Sequence, residues 1–284
     1  MSVDRLQNQI RKLKNPSVVM FSLDKTLIPA NYLEKETDEI RAYCAYAKDL
    51  LEALKGVVPA VRFAFGTFAV LGVKGLESLC QLLEMAKEMG FYVLLDAPEF
   101  YAPKDAELIA NALLGNWVFD ALVIGCYLGS DGIRPFFEEL GDKALFVAAR
   151  TANKSAAELQ DLLTGSRLVH TAAADMIKRL GEGRIGKCGY SQIACIGPAT
   201  SAESLKTLRS KNPATFLLID GFDYSGANAK NCSLAFDNLG HGAVACASAD
   251  IVGAWTQEDG DPIALAVEAA ERMRKNLTRY IAIL

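Results

Sequence analysis

The 284-residue chain is 51% hydrophobic and 23% charged, with 22 Gly, 9 Pro, 7 Cys, only 2 His and a formal net charge of −4. That balance excludes wholesale disorder and collagen-like or low-complexity character, and it lacks the basic footprint that phosphate backbones require. No apolar run approaches the roughly 20 residues of a spanning helix, so neither nucleic acid nor a membrane is expected as a partner.

The first sixteen residues carry Arg5, Arg11, Lys12 and Lys14 without an apolar core stretch or a small-residue cleavage site. They read as an N-terminal helix rather than a signal peptide, which predicts a cytoplasmic location. Strands are then predicted at 17–23, 59–64, 92–97, 121–125, 144–148, 192–196, 215–219 and 243–247. These are continuous apolar runs, as in a parallel sheet covered on its outer face. Helical patterns alternate with them at 34–54, 76–89, 105–113, 132–140, 156–163, 172–180, 202–209 and 229–239, and a closing helix occupies 262–284. Eight β-then-α units in one chain of this length predict a single-domain (β/α)8 barrel over residues 1–284. An open Rossmann-like sheet is the weaker reading, because Phe21-Ser22-Leu23-Asp24-Lys25 stands where a G-x-G-x-x-G would follow the first strand.

The seven cysteines are scattered and never form a C-x-x-C pair, which fits reduced core thiols and neither a disulfide frame nor a zinc site. His170 and His241 lack the context of a triad or metal centre, and no metal or cofactor is expected. In a barrel the chemistry sits at the C-terminal ends of the strands. The positions to weigh are therefore Asp24, Arg62, Asp96, Tyr127, Thr151, Thr200, Asp220 and Ser248, with their loops.

At these positions the chain resembles orotidine 5′-phosphate decarboxylase, in particular the longer type 2 bacterial form, over nearly its whole length. Asn15-Pro16-Ser17-Val18-Val19 running to Leu23-Asp24 resembles the family's first strand with its ribose-binding Asp. Arg62 stands where the second strand normally has a Lys, and Leu94-Leu95-Asp96-Ala97 resembles the start of D-A-K-R-G-D. Asp120-Ala121-Leu122-Val123 with Tyr127-Leu128-Gly129-Ser130-Asp131 is the most specific match. Arg150-Thr151-Ala152-Asn153, with Glu158 and Gln160, resembles T-S-N-P, and Leu218-Ile219-Asp220-Gly221 resembles L-I-P-G. The resemblance implies a homodimer with its site at the interface, converting orotidine monophosphate to UMP and CO2 without metal or cofactor. It implies catalytic positions at Arg62 and Asp96 and ligand-binding positions at Asp24, Thr151, Asn153, Asp220 and Ser225.

The chain departs from the pattern where the chemistry is densest. Pro98 takes the place of the proton-donating Lys and Tyr101 that of the second Asp, which removes general-acid help worth roughly 10²- to 10⁴-fold and electrostatic stabilisation of the carbanion. Arg62 keeps a positive charge, but its planar fork does not reproduce a compact ammonium. Ser225 replaces the phosphate-gripping Gln and Ala249 the phosphate-gripping Arg, while Asp220, Asp223 and Asp250 add negative charge. A carboxylate about 5 Å from a phosphate costs about 3 kcal/mol at an effective dielectric near 20.

The expectation is therefore a decarboxylase-like barrel of the pyrimidine-biosynthesis family, non-catalytic or repurposed, with room for a small-molecule ligand. Two alternatives are a working decarboxylase in which Lys25 or Lys104 supplies the missing ammonium, and a barrel serving as a scaffold for protein interaction. Arg62 is expected to pair with Asp96 and to lower its pKa. Asp24, Asp96, Glu99, Asp220, Asp223 and Asp250 read either as one acidic mouth or as separately held loop carboxylates. Ser130 and Asp131 read as helix caps, His241 as a helix C-cap, and 196–200 as a loop turn.

Overall fold

The runs of Val, Leu, Ile and Ala become strands buried along nearly their full length. The computed structural model describes residues 1–36, 38–97 and 102–283. The N-terminal helix α1 (Ser2–Leu13) leads into β1 (Ser17–Phe21), followed by α2 (Ala30–Leu33) and α3 (Glu39–Leu54). Next come β2 (Ala60–Phe63), α4 (Phe65–Ala69), α5 (Gly72–Glu88), β3 (Tyr92–Asp96), α6 (Pro103–Asn116), β4 (Ala121–Gly125), α7 (Ser130–Glu138) and β5 (Ala144–Ala148). A small antiparallel hairpin, β6 (Leu163–Thr164) and β7 (Arg167–Leu168), precedes α8 (Val169–Leu180), β8 (Ile193–Pro198), α9 (Ala202–Lys211) and β9 (Leu217–Asp220). The chain finishes with α10 (Ala229–Cys232), β10 (Ala243–Ala247), α11 (Ala249–Val252) and α12 (Pro262–Thr278).

All barrel pairings are parallel, and the sheet closes in the order β1-β10-β9-β8-β5-β4-β3-β2. The protein is a (β/α)8 barrel, as the alternation predicts. The outer helices pack by amphipathic spacing: α3 buries Ala42, Tyr43, Tyr46, Ala47, Leu50, Leu51 and Leu54, and Asp38 caps its start by accepting from the Ile40 amide at 2.8 Å. At α12 the Asp261 carboxylate accepts from the Ala264 amide at 2.8 Å, with Pro262 at the first helical position. Helix α1 covers the N-terminal ends of the strands, where Ser2 Oγ donates to the Asp120 carbonyl at 2.8 Å and Gln7 Oε1 accepts from the Gly242 amide at 3.0 Å.

Several predicted elements differ. Residues 156–163 form no α-helix; a 3-10 turn over Lys154–Glu158 gives way to the β6–β7 hairpin. The helix predicted at 229–239 stops at Cys232 and continues only as a 3-10 turn to Ala235. His241 consequently caps no helix; its amide donates to Asp237 Oδ1 at 2.8 Å. Ser130 and Asp131 already lie inside α7, whose N-cap is Gly129 at φ 74°. Ile196, Gly197 and Pro198 belong to β8, so the turn expected over 196–200 is confined to Ala199 and Thr200.

Candidate functional site

Arg62, on β2, is almost completely buried, and its fork ties three strand ends together. Nε donates to Asp96 Oδ1 at 2.7 Å and Nη2 to Asp96 Oδ2 at 3.1 Å, a bidentate pair across to β3. Nη1 reaches the other way to Asp220 Oδ1, 3.0 Å distant at the end of β9, and lies 3.9 Å from Cys246 Sγ on β10. Burial opposes the Arg62 charge, but the Asp220 and Asp96 carboxylates hold its pKa well above the ordinary guanidinium value. Burial pushes the Asp96 carboxyl upward against the opposing pull of Arg62, with Asp220 adding to the rise. The expected pairing of Arg62 with Asp96 is present. The expected lowering of the Asp96 pKa is overturned, because desolvation outweighs the Arg contact.

The other carboxylates of the mouth are held separately. Asp24 turns into its own loop, where Oδ1 accepts from Thr26 N at 2.9 Å and Thr26 Oγ1 at 2.7 Å. Asp223 Oδ2 accepts from the Ser248 amide at 2.8 Å and the Ala249 amide at 2.9 Å, in the turn after β10. The pKa of Asp250 is raised by burial and by the charge of Asp223, opposed by Arg272. Among the described residues no group of three or more His, Cys, Asp or Glu side chains is arranged to hold a metal ion. Glu99, like the predicted substitutions Pro98 and Tyr101, lies outside the described residues.

Thr151 and Asn153 follow β5, and Thr151 Oγ1 donates to Asn153 Oδ1 at 2.6 Å while the Thr151 amide donates to Gln160 Oε1 at 2.8 Å. Sequence reasoning missed the network beneath them. Arg150 is buried and makes a bidentate pair with Asp161 at 2.8 and 2.8 Å, and His170 Nδ1 lies 3.1 Å from the same carboxylate. The Arg150 hydrogen bonds hold the Asp161 carboxyl below its ordinary range. An Arg at a strand end was the one available signal, since no spacing rule links it to Asp161 or His170. Ser225 is exposed in the loop after β9. Lys25 is exposed and pairs with Glu39, and Lys104 is exposed in the first turn of α6.

Fold and cluster together define a (β/α)8 barrel whose polar residues converge at the C-terminal ends of the strands, the usual position for chemistry in this architecture. No family model matches the chain. It is 30% identical over 263 residues to orotidine 5′-phosphate decarboxylase of Rhodopirellula baltica, with 87% of each chain covered. It is also 30% identical over 274 residues to that of Caldicellulosiruptor saccharolyticus, with 89% of each covered. The chain belongs to the orotidine 5′-phosphate decarboxylase family. Solved structures share the fold: the Plasmodium berghei decarboxylase superposes with a TM-score of 0.82 at 13% identity, covering 99% of both chains. The Leishmania donovani OMP decarboxylase gives 0.75 at 24% identity, covering 98% of this chain and 99% of its own.

Proposed function

We propose that this family member no longer decarboxylates orotidine monophosphate and has been left non-catalytic or turned to another ligand. The observation that carries this reading is the closure of Arg62 by Asp96 and Asp220. The buried cation at the end of β2 has its fork committed to two carboxylates of its own chain. Its charge is therefore spent within the fold and not directed at a substrate carboxylate. The sequence adds that Pro98 cannot transfer a proton and that Tyr101, Ser225 and Ala249 stand at the other substituted positions. Loss of the proton donor alone costs roughly 10²- to 10⁴-fold in rate.

The protein is read as cytoplasmic, in keeping with seven free cysteines, and as a homodimer. Purified protein assayed with orotidine monophosphate is expected to release no UMP above background and to leave a pyrimidine auxotroph unrescued. Turnover near that of an ordinary decarboxylase, or rescue, overturns the reading.

A further inference from the structure

A cavity of about 280 Å³ lies at the end of the barrel opposite the mouth, where α1 crosses the loops entering β2 and β3. That volume falls at the lower edge of the roughly 300–1,000 Å³ typical of small-molecule sites. Its apolar lining is made by Leu13, Val58, Met89 and Phe91. The walls are fixed by bonds of the fold itself. Gln9 Nε2 donates to the Gly90 carbonyl at 2.9 Å, the Phe91 amide to the Ala86 carbonyl at 3.1 Å and the Val58 amide to the Leu54 carbonyl at 3.2 Å. A ligand therefore meets a preformed cleft and has little ordering to offset.

Two cations, Lys12 and Lys55, border this cleft. Other lysines of this end are committed, Lys14 Nζ donating to the Ile283 carbonyl at 2.6 Å and Lys87 pairing with Asp120. Lys12 and Lys55 are exposed, and among the described residues neither has a carboxylate within ion-pair distance. Lys12 sits in the last turn of α1 and Lys55 at the C-cap of α3, so each offsets the partial negative charge of a helix end. That role accounts for their charge but not for the apolar cleft they border. The same two helix ends disfavour a doubly charged anion, which leaves a singly charged head on an apolar body.

We propose that this cleft binds a small amphipathic carboxylate, its hydrocarbon body on Leu13, Val58, Met89 and Phe91 and its charged head at Lys12 and Lys55. The site is separate from the Arg62 cluster and stands whether or not the mouth retains activity.

Sodium octanoate is titrated, below its micellar range and at constant ionic strength, into the full chain carrying carbon-13 methyl-labelled methionine, with the Met89 resonance assigned by Met89→Leu. The Met89 methyl is expected to shift saturably, while Met273, which lines a different cavity, stays still. Lys12→Gln and Lys55→Gln are each expected to weaken binding about threefold, and the double variant about tenfold, as suits exposed charge pairs. Lys12→Arg and Lys55→Arg keep the charge and are expected to bind like the parent. Octanamide, equal in length but uncharged, is expected to bind about tenfold more weakly than octanoate, and equally to the parent and the double Gln variant, which shows that the cleft itself is intact. No saturable Met89 shift, or an equal shift of Met273, overturns the proposal, as does octanamide binding as tightly as octanoate. Gln variants that melt earlier but bind octanoate like the parent confine the lysines to the helix ends and overturn it equally.

Discussion

At Arg62, burial and charge work against each other. A guanidinium taken out of water is tolerated here because two carboxylates meet it, and removing it leaves Asp96 and Asp220 facing each other without a counter-charge. Breaking such a buried pair costs about 3 to 5 kcal/mol, and the partial exposure of Asp220 places this case toward the lower end. Arg62→Met is therefore expected to lower unfolding stability by about 3 kcal/mol in urea titrations at pH 7. Arg62→Lys is expected to lose less, since it keeps the charge but not the fork. The pH dependence follows from Asp96, whose carboxyl is already pushed up by burial. A carboxyl with a raised folded-state pKa favours folding below its unfolded value and loses that contribution as pH rises through the folded value. Removing Arg62 takes away the one group lowering it, so the Arg62→Met deficit is expected to shrink as pH falls into the carboxylate range. A deficit that grows on acidification contradicts this assignment.

Helix α1 is held to the barrel floor by a carboxylate that titrates in the opposite sense. Asp4 is partly desolvated, which raises its pKa, but its bonds to the Cys188 amide at 2.7 Å and the N-terminal ammonium at 3.1 Å prevail, and it falls to about 2. Such a group contributes stability above its unfolded value, and the contribution is lost as pH falls through the folded one. Asp4→Asn is expected to cost about 2 kcal/mol at pH 7, with parent and variant converging between about pH 4 and pH 2 in denaturant midpoints. Leu6, fully buried on the same helix, is expected to cost about 2 to 5 kcal/mol on truncation to Ala. The sequence made elements of this kind legible where apolar period alone decides them: β4, β5 and β10 have the predicted bounds. It misled where a tertiary contact overrides local preference. Gln160 and Asp161 are drawn to Thr151 and Arg150, which breaks the helix predicted at 156–163. Asp237 takes the Leu239 and His241 amides and the Tyr190 hydroxyl, which fixes a loop where helix was predicted. Likewise the Arg62–Asp96 contact was readable from adjacent strands. The grip of Asp220 on Arg62 was not, because β9 and β2 are not neighbours in the barrel order, and that of Asp223 on the turn after β10 was not, because it depends on how the loop after β9 folds back.

For the whole molecule, the second to fourth βα units carry several well-exposed apolar side chains. Val70 is 80% exposed, Val73 72%, Leu108 63% and Tyr127 84%. Single exposed apolar residues are ordinary, but four over three successive βα units, Val70 and Val73 both on the second, have the composition of an interaction surface, with an aromatic residue among them. A closed two-fold pairing of this surface would bring the same residues together from both copies, since such an interface is self-complementary. Analytical ultracentrifugation is expected to give a dimer at micromolar concentration. Val73→Asp, which places a charge in the middle of that surface, is expected to shift the equilibrium toward monomer. Its exposed position leaves no buried contact of the barrel to break, so the cooperative melt of the monomer should persist. A monomeric parent, or a Val73→Asp variant that dimerises as tightly as the parent, would move the pairing surface away from these units.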